Sequence, residues 1–244
     1  MKAASSKLRA TTPPGPVRRI SPHWAGYVAI PRAGGFTAVQ ATWVQPRIHC
    51  DRPDSSVAFW IGLGGATPRA KGLEQIGTSA QCSDTLVPSY SAWTELIPVP
   101  ARSVELPISV APGDTITAQV AAGDTTVRFT LHNVTTDEAF AVETPARLLD
   151  LSSAEWIVEA PSFCLQRCTT LPLAKFGNLT FTSTTVRTEA QIGTIKDSAW
   201  IHQRIKLTTT REQPAAVPSV LSADGRSFSV RWQGPHRRRA HHLR

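Results

Sequence analysis

Proline and glycine interrupt this chain so often that no stretch sustains a helical period. The runs between them are short, apolar and rich in β-branched and aromatic residues. They fall at 24–30, 36–44, 57–61, 90–96 and 104–110, then at 115–121, 125–133, 179–186, 199–207 and 228–232. Most stop near a turn signal: Pro31, Pro46, the glycines after Ile61, Pro98, or Ala111-Pro112-Gly113-Asp114. Gly123-Asp124 between two of the runs predicts a hairpin, and Asp224-Gly225 predicts the turn of a last one. Many short strands with no helix predict an all-β sandwich or jelly roll. One domain over residues 21–234 is enough, because sandwiches of about 200–250 residues are common as single domains.

The formal charge of +8 would suit a nucleic-acid partner if it covered the domain. It does not. Nine of the 26 Lys and Arg lie in residues 1–20 and 235–244, which hold no acid, and the other 17 face 18 acidic residues. No specific nucleic-acid site is therefore expected. Residues 1–20, with Pro13-Pro14-Gly15-Pro16, read as a disordered linker or pro-segment, and residues 235–244 as a disordered basic tail. No apolar run approaches the roughly 18 residues of a membrane span, so a soluble monomer is expected.

The four cysteines lack metal-ligand spacing. Cys164 and Cys168 suit a small clipped loop, while Cys50 and Cys82 both lie in loop-like sequence. Two disulfides are the expectation, and they imply an oxidising compartment and secretion. Residues 1–20 show no apolar core of a signal peptide. No metal or cofactor is expected, since His23, His49, His132 and His202 show no ligand spacing and the other three His lie in the tail.

The usual catalytic patterns are absent: no G-x-S-x-G, no H-E-x-x-H and no phosphate-binding glycine loop. What stands out is the stretch 154–162, a strand closed by Pro161. Side chains alternate on a strand, so Glu155, Ile157 and Glu159 share one face. Two carboxyls on one face of an apolar strand are costly unless they meet water or do chemistry. The same alternation groups Leu73, Gln75 and Gly77, then Ser91, Trp93 and Glu95, then Trp60, Gly62 and Gly64. If these faces join, one sheet presents a groove with tryptophan walls and a few polar groups. A solvated face with tryptophans in the core satisfies the same pattern.

These segments, in this order, resemble the G1 glutamic peptidases, or eqolisins. Trp24-Ala25-Gly26-Tyr27-Val28 is similar to the family's opening strand, and the run from Thr37 to Pro46 to its second. Ala58-Phe59-Trp60-Ile61-Gly62-Leu63-Gly64-Gly65 is similar to its Trp-x-Gly segment. Leu73-Glu74-Gln75-Ile76-Gly77-Thr78 resembles the segment that carries the catalytic glutamine. Tyr90-Ser91-Ala92-Trp93-Thr94-Glu95 resembles the groove strand, and Ala154-Glu155-Trp156-Ile157-Val158-Glu159 the strand of the catalytic glutamate. Glu159-Ala160-Pro161-Ser162 and the cysteines at 50 and 82 are most similar to the bacterial branch.

The resemblance implies a concanavalin-like sandwich of two antiparallel sheets with the site on a concave face. It implies polypeptide substrates, Gln75 and Glu159 as the catalytic dyad, and Trp60, Trp93 and Glu95 as groove residues. Glu159 would act as general base on a water and Gln75 as donor to the oxyanion. Activity at acid pH is then expected. Two positions depart from the family: Gly64 stands where an aspartate is common, and Ser91 where fungal members have aspartate. An inactive or carbohydrate-binding sandwich is the other function that such a fold serves. A glycosidase would use Glu95 and Glu159 as its carboxyl pair.

Overall fold

The structure is a computed structural model that describes residues 17–98, 103–146, 148–164, 168–208 and 213–234. Among these residues there are eighteen strands and no helix. The first six are β1 (Val17–Ser21), β2 (Trp24–Pro31), β3 (Ala38–Val44), β4 (Ser56–Gly64), β5 (Leu73–Cys82) and β6 (Pro88–Ile97). There follow β7 (Val104–Glu105), β8 (Thr115–Ala122), β9 (Thr126–Asn133), β10 (Glu138–Pro145), β11 (Ala154–Glu159) and β12 (Ser162–Cys164). The last are β13 (Cys168–Thr170), β14 (Asn178–Arg187), β15 (Ile192–Gly193), β16 (Trp200–Thr208), β17 (Pro214–Pro218) and β18 (Phe228–Trp232).

Most of the strands are hydrogen-bonded neighbours along one path, β10-β9-β8-β3-β14-β18-β17-β16-β2-β11-β4-β5-β6-β7. The pairings along it are antiparallel, whereas β1 joins β16 in parallel. The path folds over itself, so β3 lies against β4 and β11, β8 against β4 and β5, and β9 against β5. The expected sandwich is present, with its two sheets joined edge to edge through β18, β17 and β16. The large core between them holds Tyr27, Trp43, Phe59, Ile61, Trp156 and Phe181, all with at most 1% exposure.

Strand alternation sends the other side chains of the second sheet outward. There Val28, Ala58, Trp60, Leu73, Trp93, Ile157 and Ile205 form a separate apolar cluster. β11 lies between β2 and β4, so both its edges are paired and both its faces are covered. Trp156 anchors one face, its indole N–H donating to the Gln40 carbonyl at 3.0 Å.

Several details differ from the sequence reading. Residues 17–20, expected within a disordered linker, belong to β1; residues 1–16 and 235–244 lie outside the described residues. Of the strand expected over 104–110 only β7 and the Leu106 N–H, which donates to the Ala92 carbonyl at 2.8 Å, pair with β6, because Pro107 lacks the N–H needed to continue the ladder. β10 and β17 were not anticipated. β10 is an outermost strand with partial burial, and β17 begins and ends in proline, so neither carries a strong apolar pattern. Cys50 and Cys82 are disulfide-bonded with Cα atoms 5.6 Å apart. Cys168 is also disulfide-bonded, and its backbone faces Cys164 across the β12–β13 hairpin.

Candidate active site

Five adjacent strands present one face in register. Across β2, β11, β4, β5 and β6, the first row is Trp24, Glu159, Ala58, Ser79 and Ser91. The second is Gly26, Ile157, Trp60, Gly77 and Trp93, and the third is Val28, Glu155, Gly62, Gln75 and Glu95. Successive rows lie roughly 7 Å apart, two residues along a strand. The five residues expected at the site thus share one face. Gly62, Gly77 and Ala58 keep its floor low between the tryptophans. A Cβ on Gly77 would sit 2.2 Å from the Phe59 carbonyl oxygen and 2.6 Å from the Trp60 Cβ, so no larger residue fits.

Glu159 is half-buried at the end of β11. The Trp60 indole N–H donates to its Oε2 at 2.6 Å. Trp24 packs edge-on against Trp60, with ring centroids 5.2 Å apart, and also favours the ionised carboxylate by hydrogen bonding. Burial nevertheless dominates and pushes the Glu159 carboxyl up to about 7; the two indoles oppose the rise and the nearby Glu95 adds to it. A carboxyl balanced there can take or give a proton near neutrality.

Gln75 is 4% exposed. Its Nε2 donates to Glu95 Oε2 at 2.6 Å, and its Oε1 is buried with no hydrogen-bond partner. The amide therefore has one N–H fixed, a second N–H still to donate, and a carbonyl oxygen still to accept. Burial also raises the Glu95 carboxyl, although the Gln75 bond opposes it. Beyond Trp93, Ser79 and Ser91 join their hydroxyls at 2.9 Å. Gln75 and Glu159 are separated by β4, and no hydrogen bond links them. A bound substrate, rather than a side-chain contact, would have to bring them into one reaction.

The sequence reading gave Trp24 no place at the site. Its signal was the alternation that puts Trp24, Gly26 and Val28 on one face. It gave Glu74 no place either, and that buried carboxyl lies on the opposite side of β5 from Gln75.

The sequence profile of the peptidase A4 family matches residues 22–230. A search of curated proteins finds no match. Among solved structures, scytalido-glutamic peptidase with a transition-state analog inhibitor is similar in fold, with 24% identity and a TM-score of 0.74. That match covers 86% of this chain and 98% of the other. SCP-B, an eqolisin solved with the tripeptide Ala-Ile-His, matches at 24% identity over 86% and 98% of the two chains, with a TM-score of 0.72. The aspergilloglutamic peptidase from Aspergillus niger matches at 23% identity over 74% and 100%, with a TM-score of 0.62. The profile spans nearly the whole described domain, and the similarity in fold to the solved structures agrees with it: the chain belongs to the peptidase A4 family, the glutamic peptidases, and is an enzyme of the hydrolase class.

Proposed function

We propose that the protein is an endopeptidase in which Glu159 activates a water and Gln75 stabilises the tetrahedral oxyanion. The observation that carries this is the state of Gln75. It is buried, oriented by Glu95, and keeps one donor and one acceptor uncommitted on the same face as Glu159. The ionised Glu159 takes a proton from the attacking water and passes it to the leaving amide nitrogen. The free Gln75 N–H donates to the oxygen that gains charge, and its Oε1 accepts from the water. An amide keeps its charge state at every pH. Trp93, 8% exposed, and Trp60, fully buried, form the apolar floor beneath the face along which an unfolded polypeptide would lie. The disulfide fits secretion into an oxidising environment.

The environment of Glu159 bears on the acid activity expected from sequence. A general base must be ionised, and with its carboxyl near 7 the free enzyme gains activity as pH rises through about 7. A maximum at pH 3–4 would instead mean that Glu159 enters the reaction protonated, as general acid to the carbonyl oxygen. The test is cleavage of an unfolded protein from pH 2 to 8 by the wild type, Glu159→Gln and Gln75→Ala, with serine, aspartic and metallopeptidase inhibitors present. Glu159→Gln is expected to abolish turnover. Gln75→Ala is expected to lower kcat by about 10²–10³, as when a single oxyanion donor is lost. Cleavage that persists in Glu159→Gln ends the proposal.

A further inference from the structure

A second group of carboxyls lies beside the site and has no part in the proposed chemistry. Glu74 and Glu155 are 0% exposed, and Asp150 is buried next to them. Glu74 adjoins Gln75 on β5, and Glu155 lies four residues before Glu159 on β11. Glu74 Oε1 accepts from the Asp150 N–H at 3.2 Å. Asp150 in turn accepts from the Lys71 N–H at 2.7 Å and the Ser152 N–H at 2.9 Å. The Thr67 and Ser152 hydroxyls meet at 3.1 Å, and the Ala66 N–H donates to Ser153 Oγ at 3.3 Å. Segment 65–72, between β4 and β5, is thereby stitched to segment 148–153 ahead of β11. Ala66 packs on the apolar cluster of Trp60 and Trp93.

The three acids are supported unequally. Burial would raise Asp150, yet the Ser152 hydroxyl and the N–H groups of Ser152, Lys71 and Gly72 hold it below the usual range. Glu74 Oε2 and both Glu155 oxygens are buried with no hydrogen-bond partner. The Ser153 hydroxyl is near enough to favour an ionised Glu155, but not in bonding geometry. Around Glu155, β2 contributes Val28, β4 contributes Gly62, β5 contributes Glu74 and, in the same row, Gln75, and segment 148–153 contributes Asp150; Glu95 of β6 ends that row. Among the described residues no Lys, Arg or His side chain bonds to Glu74 or Glu155. An unpaired ionised carboxylate in such a place is very costly, so the closed fold requires both to hold their protons.

We propose that Glu74 and Glu155 form a proton-operated latch that keeps segments 65–72 and 148–153 closed against the end of the active site and releases them when the two protons are lost to solvent. In an opened chain both carboxyls titrate near their ordinary 4.5. In the closed fold burial pushes Glu74 up to about 8, with Asp150 adding to it, and burial raises Glu155 well above its ordinary value. The latch is fully effective below pH 4.5 and weakens as pH rises. Each group then multiplies the opening constant by about ten per pH unit between its two values.

Hydrogen–deuterium exchange on the intact chain from pH 4 to 8, corrected for the intrinsic exchange rate, tests this without reference to turnover or to the proposed dyad. In the wild type, opening of both segments is expected to rise by about tenfold or more per pH unit above pH 5. Glu74→Gln and Glu155→Gln should each remove about tenfold per unit from that slope. Asp150→Asn should leave the slope in place, because Asp150 is ionised in the closed form. A wild-type opening constant that does not change with pH overturns the latch, as does an unchanged slope in both glutamine variants. If either variant fails to fold, the wild-type slope decides alone.

Discussion

At the scale of single residues, Glu159 is set by three neighbours whose contributions can be separated. The Trp60 N–H stabilises the ionised form, and hydrogen bonds to charged groups contribute about 1.5–3 kcal/mol. Trp60→Phe keeps the ring and loses the donor. It should move the low-pH limb of kcat/KM upward by about one to two units, at ~1.4 kcal/mol per unit. Glu95 acts in the opposite sense, raising Glu159 by like charge. Glu95→Gln retains an acceptor for Gln75 and should move the same limb downward, by less than Trp60→Phe moves it upward; a pH–rate series on both variants checks the two signs. The residue pairs were legible in the sequence only as faces. Alternation placed Gln75, Glu95, Trp60 and Glu159 on one side of their strands, and the registers agree. It could not show that Gln75 donates to Glu95 rather than to Glu159. That depends on which strands are neighbours, and β4 stands between β5 and β11.

At the scale of elements, the site depends on how closely β4 and β5 approach. Gly77 permits that approach, since any Cβ there strikes the backbone and side chain of β4. Gly77→Ala should destabilise the fold by about 1–3 kcal/mol or more, the range for overpacked interiors, with Trp60 and Trp93 fluorescence reporting the change in a urea titration. The far end of β5 is held by Cys82 to Cys50, 32 positions earlier. Replacing both cysteines by serine should cost about 3–4 kcal/mol by the loop-closure model, readable as a lower denaturant midpoint. Element boundaries were legible where apolar alternation ran between turn residues, as in β2, β8 and β9. They were lost where chemistry and pattern disagreed: Pro107 ended β7 inside an apolar run, and β10 exposes alternate residues at the edge of the sheet, where little burial is needed.

At the scale of the molecule, the sequence shows an all-β chain but not how its strands lie side by side. Neighbours on the path are remote in the chain: β11 pairs with β2 about 130 positions away and β16 with β2 about 175, while β4, β5 and β6 are consecutive. This separation sets an order of assembly. Loop closure favours the local meanders β4-β5-β6 and β8-β9-β10, and structures dominated by distant pairings fold slowly, in milliseconds to seconds or longer. The Gln75 strand can therefore form early, but Glu159 joins it only when β11 slots between β2 and β4. In refolding from denaturant, hydrogen-exchange protection of β4-β5-β6 and β8-β9-β10 should appear before peptidase activity does; simultaneous recovery would count against this order. Because Gln75 and Glu159, the proposed dyad, reside on strands joined only by late, long-range pairing, a half-made or half-folded chain does not bring them together, and on that proposal it is expected not to cut its neighbours.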